Sequence, residues 1–192
     1  MTCSYIVAID NTYALISNFL QQLLFHVKES DEIILIDDAC NNFDTLVFLD
    51  NMANKYKQIR LIHLKQKAGF GKANNIGISI ANGDTIIFIN TDIFLESKCI
   101  DRMLDLLWSS QKIGAVQPLL VYPQTNKVQS TGHVFSDYRS GQLFSMRKIQ
   151  DIVLQQNGIR QALTMALCAV KSNVIEEIGG FDEYYYNSHE GL

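Results

Sequence analysis

Thr85-Ile86-Ile87-Phe88-Ile89-Asn90-Thr91-Asp92 is the stretch on which the fold turns. Five strand-forming residues without apolar–polar alternation do not suit a sheet with one wet face. They describe a strand covered by helices on both sides, as in parallel sheets. The switch at Asn90 puts an amide, a hydroxyl and a carboxylate just past the strand's carboxyl end, where open α/β sheets gather ligands.

The same signature recurs toward the amino terminus. Tyr5–Ile9, Ile33–Ile36 and Ile59–His63 are further short apolar runs, and the segments between them carry the helical period instead. Leu15, Phe19, Leu20, Leu23 and Leu24 form one stripe on a helix over Tyr13–His26. Asp44 caps a helix through Asn54, and Gly71–Ile80 is a third helix, closed by the turn Asn82-Gly83-Asp84. Strands alternating with helices predict an α/β fold of parallel strands joined by crossover helices. Beyond Asp92 the pattern predicts a helix over Lys98–Ser110, strands over Ala115–Val121, Val128–Phe135 and Leu163–Val170, and a short helix over Ser172–Ile178.

The 192 residues, 47% apolar and 19% charged, suit a single folded domain. Sixteen basic against twenty acidic residues leave a net charge of −4, which excludes a general nucleic-acid binder. Cys3, Cys40, Cys99 and Cys168 are scattered without a C-x-x-C pair, so neither a zinc ribbon nor a disulfide framework is expected, and a reduced, cytoplasmic setting fits. The longest apolar run, Leu163–Val170, is far short of the roughly 20 residues that span a bilayer, so any membrane contact is peripheral, at the inner face.

Three strand exits carry polar residues at the ligand-gathering edge: Asp10-Asn11, Asp37-Asp38 and Asn90-Thr91-Asp92. A carboxylate at Asp92 suits a hard divalent cation whose other ligands are phosphate oxygens and water, although an isolated Asn90-x-Asp92 also suits a turn closed on its own backbone. Asp37 and Asp38 suit hydrogen bonds from a base or ribose, or a solvated turn. Gly69-Phe70-Gly71-Lys72-Ala73-Asn74-Asn75 leads into a helix N-terminus whose free N–H groups favour an anion, yet it is neither the dinucleotide fingerprint nor a Walker loop. His26, His63 and His133 have no partner at ligand spacing and read as surface or structural. Gly179-Gly180-Phe181-Asp182-Glu183, with Tyr184-Tyr185-Tyr186 after it, reads either as an acceptor site of aromatics and carboxylates or as a helix C-cap followed by an aromatic plug.

Taken in order, these segments resemble family 2 glycosyltransferases, inverting nucleotide-sugar enzymes, and especially the rhamnosyltransferase-like group. Ile33-Ile34-Leu35-Ile36-Asp37-Asp38 is similar to that family's second strand with its base-binding aspartate, and Gly69-Phe70-Gly71-Lys72-Ala73-Asn74-Asn75-Ile76-Gly77 to its G-F-x-x-A-N-N-x-G signature. Phe88-Ile89-Asn90-Thr91-Asp92 looks like an L-N-x-D form of the D-x-D motif. Gly114-Ala115-Val116-Gln117-Pro118 and Gln129-Ser130-Thr131-Gly132 resemble the middle strand and its glycine turn, and Gly179–Glu183 the acceptor-side G-G-F-D-E.

The resemblance implies a GT-A nucleotide-diphospho-sugar transferase fold, α/β and Rossmann-like, with a mainly parallel sheet flanked by helices. Residues 1–95 would form the nucleotide-sugar-binding half and 96–192 an incomplete acceptor-side half of one domain. It implies a UDP-, dTDP- or GDP-linked sugar donor, a glycan or lipid-linked acceptor, and Mg²⁺ or Mn²⁺ on Asp92. Asp10, Asp37, Gly71, Lys72, Asn75, Asn90 and Asp182 become the substrate-binding set, and Glu190 the base, since Gly191 stands where the family places its catalytic aspartate. The chain ends at Leu192, inside that motif, which leaves room for an inactive nucleotide-sugar-binding domain or truncated remnant, and for apolar surface covered in an oligomer.

Overall fold

The computed structural model describes residues 1–10, 13–151, 154 and 156–184. Four strands, β1 (Cys3–Ile9), β2 (Glu32–Asp37), β3 (Ile59–His63) and β4 (Thr85–Ile89), are joined by α1 (Tyr13–His26), α2 (Phe43–Lys55) and α3 (Phe70–Ile80). All four lie parallel, and the full sheet runs β3-β2-β1-β4-β10-β5, with β10 (Leu167–Lys171) antiparallel to both β4 and β5 (Ala115–Val116). The fold is α/β with a mainly parallel sheet, as expected.

Handedness explains where the helices sit. Crossovers between parallel strands are right-handed, so stepping from β1 to β2 to β3 places α1 and α2 on one face, and the reversed step from β3 back to β4 places α3 on the other. The packing agrees. Ile16, Phe19, Leu20, Leu49 and Met52 join Tyr5, Val7, Leu35 and Ile87 in one cluster, together with Leu104 and Leu107 of α4 (Cys99–Trp108). Ile6, Ile34, Ile36, Ile86 and Phe88 instead meet Ala73 of α3 and Ile175 of α5 (Ser172–Ile178). Successive residues of a strand serve opposite cores, which is why β4 reads as one unbroken apolar run and is buried throughout. The reversal of strand order falls between β1 and β4 and opens a crevice at their carboxyl ends.

The second half departs from expectation in several places. The predicted strand Ala115–Val121 is two, β5 and β6 (Leu120–Tyr122), with Pro118, which has no N–H for a ladder, between them. Val128–Phe135 likewise divides into β7 (Lys127–Ser130) and β8 (His133–Ser136) at Gly132, whose φ of 114° no strand adopts. β6 pairs with β7, and β8 with β9 (Arg139–Gln142), a strand too polar to be visible in the sequence. β10 begins four residues later than predicted, at Leu167. The cap of α2 is Asn42 rather than Asp44: its Oδ1 accepts the Thr45 N–H at 2.9 Å, and Asp44 sits in the first turn.

Candidate active site

Because β1, β2 and β4 are parallel, Asp10, Asp37-Asp38 and Asn90–Asp92 emerge at one edge of the sheet, beside the N-terminus of α3. Asp10 is exposed and its carboxylate pairs with the Lys67 ammonium, which ties the β1 exit to the β3–α3 loop. Asp37 is buried: Oδ1 accepts the Cys40 N–H at 2.8 Å, and Oδ2 lies 2.6 Å from Nδ1 of His63. The other ring nitrogen of His63 is 3.2 Å from Asp50. Burial opposes the charged imidazole, but the hydrogen bonds and negative charges of Asp37 and Asp50 outweigh it and raise the His63 pKa above its ordinary value.

Asp38, the second member of the pair, builds the loop. Its two oxygens accept the N–H groups of Ala68 at 2.6 Å and Gly69 at 3.1 Å, and its own N–H donates to the Ile9 carbonyl at 2.9 Å. One buried residue thus fixes the β1 exit, the β2 exit and the glycine turn relative to one another, through its N–H on one side and its carboxylate on the other. Gly71 is buried in the first turn of α3, and Lys72 is exposed with its ammonium 4.0 Å from Glu183. Asn74, fully buried, donates to the Phe70 carbonyl.

At the β4 exit Asn90 donates its N–H to Ala166 at 2.9 Å, and its carbonyl accepts from Ile93. Asp92 follows in a turn, exposed and without a hydrogen-bond or ion-pair partner among the described residues. No group of three or more His, Cys, Asp or Glu side chains suited to a metal occurs among the described residues. A single open carboxylate at the mouth of the crevice fits a hard cation that takes its remaining ligands from a diphosphate and water.

The carboxyl-terminal motif reaches the same edge by another route. β10 runs antiparallel to β4, so α5 returns the chain toward the site, and Phe181 wedges edge-on against Phe70 and Phe88 at 5.8 and 5.1 Å between ring centres. The helix cap and the aromatic plug are therefore both present, and they leave Asp182 exposed beside them, accepting the Tyr184 N–H. The Asn75 carboxamide bonds Phe181 and Glu183. Glu190, Gly191 and Tyr185-Tyr186 lie outside the described residues, as does Asn11.

Three participants escaped sequence reading: Asp38 as loop builder, His63 as partner of Asp37, and Lys67 as partner of Asp10. The second follows from register, since Asp37 and His63 are the last residues of neighbouring parallel strands and pair directly. A cavity of about 200 Å³ between Asp84, Ser172 and Glu176 lies at the opposite end of β4 and shares no residue with these exits. None of the four cysteines is in a disulfide, and burial pushes the thiols of Cys3 and Cys168 up to about 12. Among the described residues no helix is long and apolar enough to cross a membrane.

Comparison with known proteins gives this geometry a family. The glycosyltransferase GlyG of Streptococcus pneumoniae serotype 4 is 26% identical over 162 residues, 81% of this chain and 50% of that protein. The putative glycosyltransferase EpsH of Bacillus subtilis is 29% identical over 101 residues, 53% of this chain and 29% of its own. The chain spans about half the length, or less, of such curated relatives. Among solved structures, GalNAc-T7 with UDP, GalNAc and Mn²⁺ superposes with a TM-score of 0.76 at 16% identity, covering 97% of this chain and 37% of that one. The mannosyltransferase PcManGT of Pyrobaculum calidifontis, in complex with GDP-Man and Mn²⁺, gives 0.67 at 15% identity over 94% and 47%. These likenesses fix the fold as GT-A. The family model for glycosyl transferase family 2 matches residues 4–173, and the chain belongs to that family.

Proposed function

We propose that this chain carries the donor site of a transferase that moves a sugar, with inversion, from a nucleoside diphosphate sugar to a hydroxyl of a glycan or lipid-linked acceptor in cell-surface polysaccharide synthesis. The observation that carries the reading is convergence: Asp10, the Asp37-Asp38 pair, the α3 N-terminus and Asp92 meet at one crevice edge in a chain of this family. Solved structures at 15–16% identity hold GDP-Man, UDP-GlcNAc, or UDP with GalNAc, which supports the donor class.

In this reading the Asp10 and Asp37 exits line the nucleoside pocket, and the N-terminal turn of α3 faces the diphosphate with Lys72 beside it. Mg²⁺ or Mn²⁺ on Asp92 would neutralise charge as the diphosphate leaves. Asp182 orients the acceptor hydroxyl, and Glu190 takes its proton. The acceptor oxygen then bonds to the anomeric carbon from the face opposite the diphosphate, the bond to the diphosphate oxygen breaks, and the configuration inverts.

Gly191, in place of the family's aspartate, favours a second reading in which the chain binds nucleotide sugar without turning it over. Release of nucleoside diphosphate from UDP-, dTDP- and GDP-sugars with Mn²⁺ separates the two. Release that Glu190→Gln abolishes supports transfer, whereas tight binding with no release from any donor selects the inactive domain.

A further inference from the structure

Asn75 sits on α3, within the nucleotide-side motif, yet its side chain is spent on the acceptor-side loop. Its Oδ1 accepts the Phe181 N–H at 2.8 Å, and its Nδ2 donates to the Phe181 carbonyl at 2.9 Å and to Glu183 at 3.1 Å. A carboxamide that closes both backbone groups of one residue imitates a neighbouring strand and fixes that residue's position and orientation. The loop is shaped to receive it. Gly180 has a φ of 85°, and a Cβ there would stand 2.6 Å from Asn75 Oδ1. Phe181 is seated between Phe70 and Phe88, so the residue held by the clamp also touches the helix start and the central strand. Lys72, one turn earlier on α3, reaches Glu183 at 4.0 Å.

We propose that Asn75 is a positioning residue that registers the loop carrying Asp182 against the nucleotide-side helix, so that donor and acceptor subsites keep a fixed separation. The inference rests on the donor and acceptor reading given above. It assigns Asn75 no contact with nucleotide. Phe181 is its immediate target, and Asp182, the next residue, is what the registration serves.

The test uses the whole chain with Asn75→Ala, and with Gly180→Ala as a second break made from the loop side that leaves α3 untouched. Amide hydrogen exchange, calorimetric titration with UDP, dTDP and GDP plus Mn²⁺, and transfer kinetics are read together. Both variants should speed exchange of the Phe181–Tyr184 amides by about tenfold, leave β1 and β4 protected, and keep nucleotide affinity within about threefold of the parent. Acceptor KM should rise about tenfold with kcat little changed. Asn75→Asp, which keeps the acceptor for the Phe181 N–H but sets a carboxylate oxygen against the Phe181 carbonyl and the Glu183 carboxylate, should loosen the loop at least as much as Asn75→Ala. Unchanged exchange at Phe181–Tyr184 overturns the proposal, as does a tenfold loss of nucleotide affinity with the loop still protected, which would make Asn75 a nucleotide ligand. A parent chain that binds no nucleotide overturns the functional reading instead, and exchange alone still decides whether the clamp exists.

Discussion

Single carboxylates do different work in this crevice according to what they touch. Asp38 is buried and saturated by the Ala68 and Gly69 N–H groups, so removing it strands two donors in the interior. Asp38→Ala should cost about 1–3 kcal/mol of stability in urea unfolding, and Asp38→Asn less. Asp92 is exposed and unpartnered among the described residues, so Asp92→Ala should leave the unfolding midpoint within about 0.5 kcal/mol of the parent. His63 makes stability depend on pH. Its folded pKa stands above the ordinary 6.5, so its contribution is fully present below about pH 6.5 and fades as pH rises through the raised value. Unfolding midpoints should therefore fall between pH 6 and 8 (roughly, given the ordinary range) by more in the parent than in His63→Gln. The sequence offered Asp37 and Asp92 as candidates because they follow apolar runs, and the glycine turn because it leads into a helix N-terminus. It gave His63 a surface or structural role and named no partner for it or for Lys67, because a partner 26 or 57 residues away becomes a neighbour only once strand order is known.

At the scale of elements, periodicity served the first half well because each strand there is either fully buried or flanked by a strong helical stripe. β3 and β4 fall on the residues that pattern alone assigns. Past Trp108 the strands are two to five residues long, β8 and β9 form a largely exposed two-stranded ribbon, and β9 is Arg-Ser-Gly-Gln. Such ribbons are held by backbone hydrogen bonds rather than by an apolar pattern, and they leave little in the sequence to read. The two-core arrangement makes β4, buried throughout, costly to damage. Phe88 is buried, belongs to the α3–α5 core and seats Phe181. Phe88→Ala should lose about 3–5 kcal/mol in urea unfolding and raise exchange at Phe181, whereas Phe88→Leu should lose much less.

For the molecule as a whole, the order of helices around the sheet decides where chemistry can occur. Reversal between β1 and β4 creates the crevice, and because β10 runs away from that edge, α5 carries the carboxyl-terminal motif back to it, so segments some 170 residues apart meet there. That juxtaposition was legible only through family resemblance, since no local pattern predicts an antiparallel strand beside β4. On the function proposed above, this edge binds a nucleoside diphosphate through a metal on Asp92. Calorimetric titration with UDP, dTDP and GDP, with and without Mn²⁺, on the parent and on Asp92→Ala, tests this most directly. Mn²⁺-dependent binding of one nucleotide is expected, weakened at least about tenfold in the folded variant. Binding that ignores Mn²⁺ or survives Asp92→Ala would contradict it, and so would no binding to any of the three.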